Sequence, residues 1–195
     1  MKKEQLLFGA LKNKKRSTKI AYIGVLVALN IAVNALTSIP LGFVKFSFTI
    51  SATALAGILL GPFLGFAVGF IGDLLAVVLG EGGGYTPFVG IAMGMVALLF
   101  GLFFYGFDWR FKWAWCVKIA LASLLSFLIA TVAIDTTVGF FLWNKTGLPY
   151  AEFAVVRLFV AGQVWNNVLN TAILYAVVPA LAKARALPLQ IVKNS

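Results

Sequence analysis

Arg157, Gln163, Asn166, Asn167 and Asn170 fall within one apolar stretch near the carboxyl end of the 195-residue chain. Spacings of three or four link Gln163, Asn166, Asn167 and Asn170, so on a helix they form one polar stripe. Inside lipid each such group costs free energy unless it faces a partner or a wet cavity. The stripe therefore reads as a hydrogen-bonding wall for a solute. Interhelical contacts worth about 1 kcal/mol each are the alternative, and they need fewer polar groups. Asp73 is an ionisable residue within another apolar run, a default signal of function, although structural pairing with Arg157 or with helix-end amides would also account for it. Lys45 and Arg157 could attract a carboxylate; Lys45 could instead snorkel to an interface. Tyr85, Trp143 and Trp165 could cover a solute or anchor at the membrane surface. Asp135 and Glu152 sit where solvation suffices for them.

The same inventory excludes much chemistry. The chain has no histidine, the single cysteine Cys116, no paired carboxylates at ligand spacing and no Walker phosphate loop. Hydrolysis, metal catalysis and autonomous ATP use lack their parts, and no cofactor is signalled. Gly82-Gly83-Gly84 is not followed by Lys-Ser/Thr and reads as a flexible lid or turn. The net charge of +10 does not imply nucleic acid, because the cations lie between apolar runs rather than on one face of a soluble fold.

The elements that must position these residues are membrane helices. Hydrophobic residues make up 62% of the chain and charged ones 11%, against roughly 45–50% and 25% in soluble domains. The expected fold class is an all-α membrane protein with six transmembrane helices. The runs are Ile20 to Ile39, closed by Pro40; Phe48 to Leu60, short for a crossing and stopped by Gly61-Pro62; Phe63 to Leu79; Phe88 to Phe107; Val117 to Leu142; and Phe153 to Leu181. Residues 1–19 form a basic arm, 20–181 the six-helix domain and 182–195 a tail. In this layout all but Lys45, Lys145 and Arg157 of the 16 Lys and Arg residues fall on one side, which places both termini in the cytoplasm. The outer loops are then Leu41 to Phe46, Gly80 to Thr86 and Trp143 to Glu152, and the polar stripe and Asp73 lie in the outer half. In the first helix Ala21, Gly24, Ala28, Ala32 and Ala35 make a small-residue face that suits close packing, either within the protein or against another membrane subunit.

The layout resembles the substrate-binding S components of energy-coupling factor (ECF) vitamin transporters, the folate-type group in particular. The residues carrying the resemblance are Ala28-x-x-x-Ala32, Phe46-Ser47-Phe48 continuing to Ala54-Leu55-Ala56-Gly57-Ile58-Leu59-Leu60-Gly61-Pro62, Gly72-Asp73-Leu74, and Gly84-Tyr85-x-Pro87-Phe88. The resemblance implies a multi-pass binder of a water-soluble vitamin in a bacterial plasma membrane, with a pocket near the outer face. It implies that Ala28 and Ala32 dock on a transmembrane coupling subunit driven by two cytoplasmic ATPases, and that the S component topples in the bilayer to release solute inside. Folate binders of the family carry Pro-Gly-Phe-Thr-Leu-Ser-Ala where this chain has Pro87-Phe88-Val89-Gly90-Ile91-Ala92-Met93. The amide stripe with its nearby cations suits a small amide-bearing carboxylate, and pantothenate is the vitamin of that description; folate, cobalamin or a stand-alone secondary transporter are the alternatives.

Overall fold

The computed structural model describes residues 9–11, 13–36, 39–41, 44–81, 86–107, 113–144 and 147–184. Helix α1 spans Arg16–Leu36. It starts a turn before Ile20 and stops short of Ile39. Pro40 disfavours helical backbone at the residue before it, so Ile39 is extended and the helix has to end upstream. Ile39–Leu41 forms β1 and Val44–Phe46 forms β2, an antiparallel hairpin in the register Ile39↔Phe46, Pro40↔Lys45, Leu41↔Val44. The sequence reading had a plain loop here. A proline is tolerated because a two-stranded ribbon consists only of edges.

Helix α2, Thr49–Leu60, is only 12 residues long, about 18 Å against a hydrocarbon core of about 30 Å. It is buried along almost its whole length, with Ala54, Ala56, Ile58 and Leu60 fully enclosed. A helix wrapped by other helices does not have to match the bilayer. Gly61 ends it at φ 85° and Pro62 begins α3 (Pro62–Ala76) at once, the punctuation expected from the Gly-Pro pair. A π-helical turn, Val77–Glu81, continues α3. Helix α4 is Pro87–Gly106. Helix α5 (Ala114–Ser126), a π-helical segment (Phe127–Thr136) and α6 (Thr137–Trp143) form one 30-residue rod.

The last apolar run is broken into two parts. Helix α7 (Tyr150–Val155) passes into a π-helical turn (Val156–Val160) and stops, and α8 (Gln163–Lys183) starts afresh. The π turn closes with the N–H of Ala161 on the Val156 carbonyl at 2.8 Å, and α8 opens with the N–H of Asn166 on the Gly162 carbonyl at 2.8 Å. Between them Gly162 adopts φ 83°, the left-handed conformation that other residues reach at a cost of about 1 kcal/mol. Gly162→Ala should therefore lower stability by about 1 kcal/mol, seen as a reduced Tm of the purified protein.

Among the described residues five helical stretches have the length and composition to cross a bilayer: α1, α3 with its π turn, α4, the α5–α6 rod and α8. Helices α1, α3, α4 and α8 pack around α2, and the rod packs against α4 and α8. Lipid offers no hydrophobic drive between helices, so close approach and dispersion carry the assembly. Gly57 shows the closeness: a Cβ there would lie 1.9 Å from the carbonyl oxygen of Ala97 on α4. Phe100, Ile119, Leu174 and Val178 complete the interior. At the end of the bundle where α2 terminates, Tyr105 donates to the Ile58 carbonyl at 2.6 Å and Lys118 donates to the Phe107 carbonyl at 2.7 Å, placing a cation on the carboxyl end of α4.

Candidate solute-binding site

The opposite end of the bundle encloses a cavity of about 200 Å³. Asn34 of α1, Ser47 and Thr49 at the start of α2, Asp73 of α3, Asp135 of the long π segment, and Gln163 and Asn166 of α8 contribute its polar wall. Ile50, Val89, Ala92, Met93, Val96 and Ala130 supply the apolar remainder, with Thr131 beside them. An apolar cleft with a few polar groups converging on it is the usual form of a small-molecule site. Asp73 is buried, at 6% exposure.

The amides of α8 build this wall before any solute arrives. Phe48, at the cap position of α2, has no side-chain acceptor, and although Ser47 Oγ takes the Thr49 N–H at 3.2 Å, the next N–H groups need acceptors from elsewhere. Asn170 supplies one: its Oδ1 accepts the N–H of Ser51 at 2.8 Å. Its Nδ2 donates to the carbonyls of Ser47 at 2.7 Å and Asn166 at 2.8 Å. Asn166 Oδ1 accepts the N–H of Ser47 at 3.2 Å. On the far side of α2, Asn30 and Thr53 exchange hydrogen bonds at 3.0 and 3.3 Å, and Thr49 donates to Asn34 at 3.2 Å. Helix α2 is thus clamped by polar groups of α1 and α8, with its amino end at the cavity.

The structure distributes the residues singled out from sequence. Asp73, Gln163 and Asn166 come together on the cavity wall. Asn170, fully buried, stands behind Asn166 and serves α2. Asn167 lies elsewhere: it donates to Ser123 at 3.3 Å and lines a surface groove between α5 and α8. Trp165 is 58% exposed on the outside of α8 and is not part of the lining, because it is about 100° around the helix from Asn166. Arg157 pairs with Asp135 at 2.6 Å and not with Asp73, and so Asp135 is an ion-pair partner rather than a merely solvated acid. Trp143 is half-exposed, its ring 5.2 Å from the Arg157 guanidinium. Lys45 sits in β2 opposite Pro40. Tyr85 lies outside the described residues. On α1, Ala28 and Ala32 are exposed whereas Asn30, between them in sequence, turns inward.

The family model described as ECF-type riboflavin transporter, S component, matches residues 14–183. The chain belongs to this family of S components. Such a subunit binds a vitamin for transport and is not an enzyme. Folate transporter FolT of Clostridium novyi (strain NT) is 26% identical over 146 residues, covering 74% of this S component and 79% of the relative. A crystal structure of FolT bound with folic acid matches with a TM-score of 0.63 and 22% identity, over 83% of this chain and 92% of that one. That likeness shows the fold.

Five polar residues of the S component's cavity are not assigned to a site by the sequence reading: Asn34, Ser47, Thr49, Thr131 and Asp135, the last read there as a solvated acid. For Asn34 a signal existed. Asn30 and Asn34 are one turn apart in an apolar helix, the same pattern that exposed the α8 stripe. Ser47 and Thr49 carry no such signal, since short hydroxyl residues before a helix are ordinary.

Proposed function

We propose that this S component captures folate from outside a bacterial cell and delivers it through an ECF module. The observation carrying the choice of vitamin is the buried Asp73 carboxylate, which shares the wall with amides, hydroxyls and Asp135, the latter already turned to Arg157. A carboxylate only accepts hydrogen bonds, so it favours a ring edge that presents adjacent N–H donors. The aminopyrimidinone edge of a pterin offers a ring N–H beside an amino group. The isoalloxazine of riboflavin presents one N–H between two carbonyls, which would face Asp73 with like partial charge. Pantothenate, which the amide stripe suggests, offers Asp73 hydroxyls and an amide N–H but no edge of adjacent ring donors. The FolT relative and FolT structural neighbour favour folate in the same direction.

In this reading Asp73, Gln163 and Asn166 contact the solute and Asn170 positions the wall. The chain crosses the plasma membrane six times, counting short α2 as the second crossing and α7 with α8 as the sixth, with both termini in the cytoplasm. The cation bias of the loops supports that orientation, and it directs the cavity outward. The Ala28 and Ala32 face of α1, open on the outside of the bundle, docks on the coupling subunit, which two cytoplasmic ATPases drive.

Titration calorimetry of the purified protein with folate, riboflavin and pantothenate tests the assignment. Folate should bind saturably and most tightly; tighter binding of either competitor overturns it. Trp165→Ala should leave the folate Kd within about twofold, as for a surface residue remote from the site. A larger loss would move α8's outer face into the binding surface.

A further inference from the structure

We propose that Arg157 is the receptor for a carboxylate of the solute, and that Asp135 is a stand-in counter-ion which the solute displaces. The inference rests on the folate reading of the cavity. Four observations converge on it. Asp135 lines the cavity and Arg157 lies directly behind it, joined by the 2.6 Å contact from Arg157 NH2 to Asp135 Oδ2. The guanidinium is only partly used: its Nε is buried without a hydrogen-bond partner among the described residues. An orphaned donor of this kind is costly and marks a place where an acceptor belongs. The guanidinium is also held in place by apolar and backbone surfaces. The Trp143 ring lies 5.2 Å away, and Gly139 leaves its face of α6 bare, so that a Cβ there would sit 3.3 Å from Arg157 Cζ. Finally, both partners sit in π-helical turns, Asp135 in Phe127–Thr136 and Arg157 in Val156–Val160. Such turns recur at functional sites.

The chemistry of the exchange is simple. A guanidinium withdrawn from water needs a counter-ion at all times. In the empty site Asp135 provides it. A solute carboxylate is the same functional group, and it can satisfy the side-on fork that includes Nε, giving a bidentate pair where the empty site has a single contact. Asp135, 17% exposed, is then released toward the water of the open cavity. Arg157 is followed within the same turn by the break at Ala161 and Gly162, so the exchange acts on the joint between α7 and α8.

The test is calorimetry on the full chain with two probes, folate and folate dimethyl ester, whose carboxylates are masked. In wild type, folate should bind more tightly than the ester. Arg157→Gln should weaken folate about tenfold, to the level of the ester, and leave the ester unchanged. Asp135→Asn should tighten folate severalfold without altering the ester, because the competing counter-ion is gone. A merely structural ion pair makes the opposite forecast, namely that Asp135→Asn weakens both probes together. That result, or an unchanged ratio of folate to ester in Arg157→Gln, overturns the proposal while leaving the folate assignment intact. If Arg157→Gln does not fold, the direction of the Asp135→Asn effect decides. Absence of saturable folate binding to wild type overturns the assignment and this proposal together, and it is recognised without any variant.

Discussion

Asp73→Asn should lower folate affinity by about 100-fold while leaving the helical content and the gel-filtration profile of the purified protein unchanged. The substitution keeps the volume and planarity of the side chain and changes only its charge and one of its acceptors. Two charge-assisted hydrogen bonds to a pterin edge, each worth about 1.5–3 kcal/mol, are then replaced by one neutral bond and one amino group opposed to a donor. Every 1.4 kcal/mol is about tenfold in Kd, so a loss near two decades follows from the conservative end of that range. Folding should survive because removing a buried charge also removes its desolvation cost. Asp73 is only 6% exposed, so water cannot substitute for the lost acceptor. An affinity equal to wild type in Asp73→Asn would assign the carboxylate to the scaffold and leave the recognition of the ring to Gln163 and Asn166.

Asn170→Leu should destabilise the protein by about 3 kcal/mol, the larger structural effect, and abolish folate binding under conditions where wild type binds. Asn170 is completely buried and uses both ends of its amide on the amino end of α2. Leucine has a similar volume but no polar atoms, and so the Ser51 N–H and the Ser47 carbonyl lose their partner. Each buried group left unmade costs about 1–3 kcal/mol, and inside a bilayer no solvent water compensates. Binding should fail because Ser47 and Thr49, which line the cavity, are placed by this contact. Thermal unfolding in detergent, read by near-ultraviolet dichroism, measures the stability term. Asn170→Asp would separate the roles of the two ends, since it retains the acceptor for Ser51 and loses the donor to Ser47.

Much of this arrangement is legible in the sequence because lipid makes polar residues conspicuous. Asp73, Gln163 and Asn166 stand out in apolar runs, and they meet on one wall. Their division of labour is not legible. Asn166 and Asn167 are adjacent, and a turn of about 100° sends one toward α2 and the other toward α5. Spacing identifies a stripe, but a stripe that wide touches two neighbours, and which neighbour lies on which side is a property of the whole bundle. The break in the last run is hidden for a different reason. Ala161 and Gly162 are small and compatible with a membrane helix, and only the positive φ of Gly162 reveals that the chain stops and restarts there. The π-helical turns leave the hydrophobic pattern intact. Thr136 donates to the Thr131 carbonyl at 2.8 Å, five residues back, a contact visible only once the turn has widened. The Asp135–Arg157 pair joins two different elements across 22 positions. Nothing local to either residue announces the other, and charge alone made Asp73 as good a partner.

The central claim is a solute-binding subunit without an engine of its own, and uptake into proteoliposomes tests it most directly. Vesicles containing this chain alone, with or without a proton or sodium gradient, should accumulate no labelled folate above protein-free controls. Vesicles that also contain an ECF coupling subunit and its two ATPases should accumulate folate when ATP is supplied to the ATPase side, and should lose that uptake when it is withheld. Gradient-driven accumulation by the chain alone would contradict the account and make the protein a secondary transporter.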